Sequence, residues 1–276
     1  MSKTEAHLVS VVMPAYNAET HIEEAINSIL RQTYKDFEFI IINDASTDST
    51  LDIIKKFSKK DKRIQIISNK RNLNIGKSLN LGVAKSQGKY IARMDADDIS
   101  FPNRLAQQVQ LLNNNPKVAV TGGDIVLIKE DGTILHTRKY ESNSERMKKN
   151  IFRFSPFAHP TTMYRKNIFD EFNGYDPAKS PSEDIDLWIK IGSKYDFGSV
   201  TSPTLYYRTY VKSSSNKKLR QVELNTIKMR YTAYREYGYK PSLLDIMLNV
   251  CQFVTIWIFP ASIRIGLFNL IRSYIK

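Results

Sequence analysis

Two apolar patterns alternate along the first half of the chain. Short continuous apolar runs occur at 8–13 (LVSVVM), 37–42 (FEFIII), 63–68 (RIQIIS) and 89–94 (KYIARM). Runs of that length between polar segments predict buried strands. The stretches between them repeat at helical spacing. Over 19–32, Ile22, Ile26 and Ile29 share one face, and DSTLDIIKKFSKK and NIGKSLNLGVAKS follow the same rule. Pro102 suits the first turn of a further helix that carries Leu105, Val109 and Leu112 on one side. Strands alternating with helices of this length predict an α/β fold with a mainly parallel central sheet and flanking helices.

The second half changes character. Residues 117–140 predict strands joined by a hairpin at Asp131-Gly132, followed by a short helix at 144–151. SPSEDIDLWIKIGSKY (180–195) predicts a helix with Ser182 as N-cap and Ile185, Trp188 and Ile191 on its buried face, joined by Leu187. One or two strands over SVTSPTLYYRTYV close this part. The predicted organisation is a domain over 1–212 and a helical, basic tail over 213–276.

Charge sharpens the reading of the tail. The chain of 276 residues carries a net charge of +13, and from Lys212 onward eleven Lys/Arg face three acids, so +8 of it lies there. Such a segment attracts polyanions, an anionic membrane surface or nucleic acid. The interval 246–263 has no charge for 18 residues, the lower limit for a membrane span. Pro260 interrupts it, however, and Asp245, Asn249 and Gln252 share one helical face. Arg264, Arg272 and Lys276 then form a basic stripe opposite Ile263, Leu267, Leu270 and Tyr274, the pattern of a helix lying in the membrane interface. Packing against the domain, or spanning, are the other placements open to this segment. No basic-aromatic motif supports nucleic acid. A single cysteine excludes a disulfide framework or a Cys-based zinc site. The N-terminus lacks a signal-peptide pattern, so the expected location is cytoplasmic, peripheral on the inner face of the cell membrane.

Candidate chemistry gathers at the predicted strand ends, where α/β sheets bind ligands. Asp95, Asp97 and Asp98 fall within four residues after the fourth run. In extended backbone Asp95 and Asp97 point to the same side, and their oxygens suit a Mg²⁺ or Mn²⁺ ion with positions left open for a diphosphate. Asp98 is instead a candidate cap for the next helix. PAYNAE follows the first strand, without a glycine-rich dinucleotide fingerprint. It offers Pro14, Asn17 and the ring of Tyr16, on which a base can stack. Asp44 is placed to accept from a base N–H, and Arg71 and Lys77 to meet phosphates. With Asp95 and Ala96 these make a nucleotide-diphosphate pocket.

In these residues the sequence resembles the family-two inverting glycosyltransferases with the GT-A fold. The matching pieces, in family order over 9–208, are VSVVMPAYNAE, INDASTDST, GKYIARMDADDISFPNRLAQQVQLL, HPTTMYRK and SEDIDLWIKI. The resemblance implies transfer of a sugar from a nucleotide-sugar, with a UDP-sugar the expected donor, and a Mg²⁺ or Mn²⁺ ion at Asp95 and Asp97. It also implies a base in the Glu183-Asp184 pair, and it favours Asp184. His159, Glu183 and Trp188 are weaker candidates for the acceptor side. A saccharide or lipid-linked acceptor in surface-polysaccharide or lipid-linked oligosaccharide assembly is the implied role. The QxxRW motif of processive synthases has no match here, so single transfers are expected. Tyr210 stands where many members have a His after YR. The rival reading is a non-catalytic interaction module on the same fold, acting through its basic tail.

Overall fold

The computed structural model describes residues 8–210 and 219–274. The expected alternation is present as β1 (Val9–Ala15), α1 (Ile22–Leu30), β2 (Phe37–Asn43), α2 (Thr50–Lys60), β3 (Ile64–Ser68), α3 (Ile75–Lys85) and β4 (Tyr90–Arg93). A two-residue β5 (Ile99–Ser100) and α4 (Arg104–Asn114) follow. Pro102 lies just before α4 rather than in its first turn, and its carbonyl accepts from the Thr33 N–H at 2.9 Å.

The four long-range strands of this half run parallel in the order β3-β2-β1-β4. Both faces of them are covered, which is why they read as continuous apolar runs. Val11, Met13, Phe39 and Ile41 pack into the core under α1 and α4, while Val12, Ile40 and Ile42 pack on the other face with Leu79 and Val83 of α3. Each such side chain, fully buried, contributes about 1.5–3 kcal/mol. α3 comes so close to the sheet that a Cβ at Gly82 would lie 2.5 Å from Val12 Cγ1.

Beyond β4 the sheet becomes mixed. It continues through β8 (Met163–Arg165), β6 (Val118–Ile128) and β9 (Asp196–Arg208) to β5, and β7 (Ile134–Arg138) pairs with β6 around the predicted Asp131-Gly132 hairpin. Gly132 takes φ +86° there. β9 is one 13-residue strand, parallel to β6 and with shifted register around Asp124. α5 (Ser144–Asn150), α6 (Lys166–Glu171) and α7 (Glu183–Gly192) cover this half. Leu187, Trp188 and Ile191 are buried as expected, with Ile189 in place of the half-buried Ile185. Ser182 occupies the N-cap position, but its hydroxyl makes no capping bond.

The tail forms α8 (Leu219–Glu236), α9 (Leu243–Ile258) and α10 (Ala261–Tyr274). Met229 and Ala233 of α8 join Ile151, Phe152, Ile189 and Tyr239 in a small core. The polar stripe of α9 turns inward. Asp245 pairs with Arg153, Asn249 donates to the Phe152 carbonyl at 2.9 Å, and both Asn249 and Gln252 accept from Arg230. The apolar residues Leu243, Met247, Val250, Trp257 and Ile258 are left outward, Ile258 being 65% exposed. No helix among the described residues is long and apolar enough to cross a membrane; the 16 residues of α9 rise about 24 Å against about 30 Å of hydrocarbon. The expected basic stripe is not on the surface. Arg264 is buried against Glu223, and Arg272 turns toward Tyr140 and Phe154. Lys276 lies outside the described residues.

Candidate active site

The carboxyl ends of β1, β2 and β4 open into one cleft of about 1740 Å³, which also reaches α7 and the tail helices. Loops after β1 and β2 hold each other. Asn17, at φ +49°, takes a hydrogen bond from Thr47 N–H at 2.9 Å and donates its own N–H to Ser46 Oγ at 3.1 Å. Asp48 caps the local turn by accepting from Thr50 N–H. Tyr16 stands at the cleft with half its surface exposed, as a stacking ring requires. Asp44 is buried and accepts from Asn69 Nδ2 at 2.7 Å and Leu73 N–H at 2.9 Å, both through Oδ1. Ala45 beside it holds φ +61°, a conformation costly for a residue with a Cβ and common at functional sites.

The acidic loop after β4 is built by two arginines. Arg93, 2% exposed, binds Asp95 Oδ1 through Nη2 at 2.6 Å, while its Nε and Nη1 have no partner among the described residues. Arg208 at the end of β9 donates its backbone N–H to Asp98 Oδ1 at 2.8 Å and its Nε to the Asp97 carbonyl at 2.9 Å. Its other nitrogens reach the Lys129 and Glu130 carbonyls and Glu24. Asp98 is therefore a buried anchor for β9, not a helix cap; Asn103 occupies that position in α4.

These cations do not neutralise the loop. Carboxylate oxygens of Asp95, Asp97 and Asp98 all lie within 4.8 Å of one another. Burial first, then the charge of Asp95, pushes Asp97 up to about 6, against a hydrogen bond from Tyr210. Burial, with Asp97 and Asp95, holds Asp98 well above the ordinary carboxylate range, and its Oδ2 is buried without a partner. Crowded, desolvated carboxylates with an unpaired oxygen fit a hard divalent cation.

Across the cleft, Asp184 lies in the first turn of α7. Burial first, then the charge of Glu183, pushes it from 3.8 up to about 6. Glu183 is 4% exposed, with Oε2 unpartnered and its Cγ against Gly76. His159 also lines the cleft. Its Nε2 is 2.9 Å from the Tyr175 hydroxyl, and burial, with Arg93, holds it well below its ordinary value, so it is neutral. Asn80 fixes Tyr175 in turn, through both backbone groups.

Pro14, Tyr16, Asn17, Asp44, Asp95, Ala96, Asp97, His159, Glu183 and Asp184 thus share one cleft. Arg71 and Lys77 do not. Both are exposed, and their loop presents Asn72, Asn74 and Ile75 instead. Trp188 is core, fully buried behind His159 with ring centres 6.1 Å apart. Sequence reasoning missed Arg93, the last residue of β4, whose signal was its position two residues before Asp95. It also missed Arg208 and the contact of Tyr210 with Asp97.

The glycosyl transferase family 2 profile matches residues 10–172. An uncharacterized glycosyltransferase of Methanocaldococcus jannaschii, MJ1057, is 40% identical over 205 residues, 73% of this chain and 70% of that protein. The O-antigen biosynthesis glycosyltransferase WbnJ of Escherichia coli is 33% identical over 238 residues, 83% of this chain and 91% of WbnJ. In structure the chain is similar to the mannosyltransferase PcManGT of Pyrobaculum calidifontis, solved with GDP-Man and Mn²⁺. There the TM-score is 0.62 at 16% identity, with 99% of this chain and 77% of that one covered. With these matches and the mixed sheet described above, the chain belongs to glycosyl transferase family 2 and has the GT-A fold.

Proposed function

We propose that the protein transfers a single sugar, with inversion, from a nucleoside diphosphate sugar to an acceptor hydroxyl. The observation that carries this reading is the placement of Asp184, raised to about 6, in one cleft with the crowded carboxylates of the Asp95 loop. Tyr16 stacks the base and Asp44 accepts from it. Asp97, assisted by Asp95, would hold a Mg²⁺ or Mn²⁺ ion, whose charge would stabilise the leaving diphosphate. Asp184 takes the proton of the acceptor hydroxyl as its oxygen bonds to the anomeric carbon and the bond to the diphosphate breaks. A base that titrates near 6 is ionised at neutral pH yet still accepts a proton readily. Neutral His159, fixed by Tyr175, supplies a hydrogen-bonding wall beside it.

WbnJ supports a role in surface-polysaccharide or lipid-linked oligosaccharide assembly. The outward apolar face of α9 supports a peripheral seat on the cytoplasmic side of a membrane for the 213–276 tail, with 1–212 as the catalytic domain. That face is larger than scattered surface residues explain. The decisive experiment is nucleotide release from UDP- and GDP-sugars with Mn²⁺, with Mg²⁺ and in EDTA, with the anomeric configuration of the product read by NMR. Metal-dependent release that vanishes in Asp184→Asn supports the proposal. Undiminished release in EDTA, or retention of configuration, overturns it.

A further inference from the structure

The cleft continues beyond Asp184 to a second end between β7, residues 152–160 and the tail helices, and there the charge balance reverses. The Arg272 guanidinium of α10 lies 5.2 Å from the ring centre of Tyr140 and 5.2 Å from that of Phe154. Two rings therefore fix a planar cation in place. Burial holds Arg272 below its ordinary value, and the charge of Arg138 from β7 pushes the same way.

The other arginines of this wall are satisfied. Arg153 pairs with Asp245, Arg264 with Glu223, and Arg230 with the Ile151 carbonyl, Asn249 and Gln252. Among the described residues, Arg138 and Arg272 have no carboxylate partner. Two neighbouring, partly desolvated cations on a cleft wall favour an anion between them. The same helices also line the cleft with the apolar Val222, Leu248, Ile265, Phe268 and Ile271, beside the paired Glu223 and Arg264. Phe268 and Ile271 also reach the outer surface, 40% and 36% exposed, beside the apolar face of α9.

We propose that Arg138 and Arg272 bind the phosphate of a lipid-linked saccharide acceptor, whose chain lies on the apolar side chains and leaves toward the outer face of α9 and α10. This rests on the reading of the cleft as a sugar-transfer site. Such an acceptor carries a sugar hydroxyl, a phosphate and an apolar chain, and the cleft offers a carboxylate base, unpaired cations and apolar side chains. Arginine suits the phosphate because its planar fork donates two parallel hydrogen bonds. It also explains why the expected basic stripe of α10 is turned inward.

The test is calorimetric titration of the full chain with farnesyl diphosphate, inorganic pyrophosphate and farnesol, in EDTA so that no diphosphate binds through a metal at Asp97. Farnesyl diphosphate is expected to bind more tightly than either fragment. Arg138→Gln and Arg272→Gln are each expected to weaken it about tenfold, the scale of one charge-assisted contact. Arg272→Lys should recover part of the loss. If Arg272→Gln does not fold, Arg138→Gln alone decides. No binding, or unchanged affinity in the variants, overturns the proposal. Pyrophosphate binding as tightly as farnesyl diphosphate overturns the lipid-linked acceptor. Donor turnover by the unaltered protein is scored separately: metal-dependent nucleotide release without lipid diphosphate binding rejects this subsite alone, and the converse rejects the sugar-transfer reading alone.

Discussion

Replacing Asp184 by Asn should inactivate the protein and stabilise it, and the two effects have one cause. In the fold this carboxyl is pushed from 3.8 to about 6, by burial and then by Glu183. A carboxyl that is harder to ionise in the folded state than in the unfolded chain opposes folding wherever it is charged. The cost is absent below pH 4, grows between pH 4 and 6, and is constant above that. The interval between 3.8 and about 6 corresponds to about 3 kcal/mol at about 1.36 kcal/mol per pH unit. Water in the cleft reduces this to about 1–3 kcal/mol. Asn keeps the shape without the charge. At pH 8 Asp184→Asn should therefore be more stable by about 1–3 kcal/mol, a Tm gain of several degrees for a chain of this size. At pH 4 the gain should vanish. The same variant should lose about 10²–10⁴ in kcat, with donor affinity nearly unchanged. In the wild type, kcat/KM should rise with pH through about 6 and then level. Urea unfolding at pH 4 and 8, beside nucleotide release across pH, checks all of this. A variant no more stable than wild type at pH 8 refutes the buried charge. Retained activity, or its loss in Glu183→Gln instead, refutes the choice of base.

Asp97→Ala should abolish metal-dependent nucleotide release while leaving the far-UV circular dichroism unchanged; release that persists would remove Asp97 from the metal site. Arg208→Ala strips the Asp97 carbonyl, two turn carbonyls and Glu24 of one shared donor. It should cost about 1–3 kcal/mol in urea unfolding, the scale of leaving buried carbonyls unsatisfied, and weaken metal-dependent turnover. Gly82→Val forces a side chain into Val12 and Ile42, and a loss of about 1–3 kcal/mol is expected in the same assay. Trp257→Glu with Ile258→Glu should reduce flotation with liposomes without lowering Tm, since both residues are exposed. Wild-type protein that floats with neither anionic nor neutral vesicles would remove the membrane seat.

The parallel half of the fold was legible because its physics is local. Strands covered on both faces become unbroken apolar runs, and α1 buries Ile22, Ile26 and Ile29 at the spacing the helix imposes. The acidic cluster was legible from its spacing, but not its geometry: Asp95 and Asp97 converge through a turn beyond β4 rather than along extended backbone, and Asp98, which alternation would send to the other side, joins them. What could not be seen was decided by partners distant in sequence. Asp98 caps no helix because β9, 110 residues later, delivers the Arg208 N–H to it. Arg71 and Lys77 stay out of the cleft because Asp44 captures Asn69 and the Leu73 N–H, and the loop then turns through Asn74 at φ +68°.

The tail shows most clearly what periodicity omits. Helical spacing says that Asp245, Asn249 and Gln252 share a face, but not what that face meets. Taken alone, a polar stripe on an apolar helix suggests polar-out packing. Here Arg153, from the segment after α5, and Arg230, from α8 of the tail itself, meet it, so the polar stripe becomes the inner seal. The apolar side is then outward by necessity, since one helix cannot bury both faces against the same neighbour. Arg264 finds Glu223 and Arg272 finds two rings, which turns inward the two described cations of the α10 stripe, while Arg220, Lys228, Arg235 and Lys240 stay exposed on α8 and the segment after it. In the proposed membrane seat, α9 and α10 would therefore act by apolar contact rather than by charge. It follows that flotation should depend weakly on salt and on anionic lipid, and strongly on Trp257 and its neighbours. A steep salt dependence would return the tail to the electrostatic mode that its composition alone suggests.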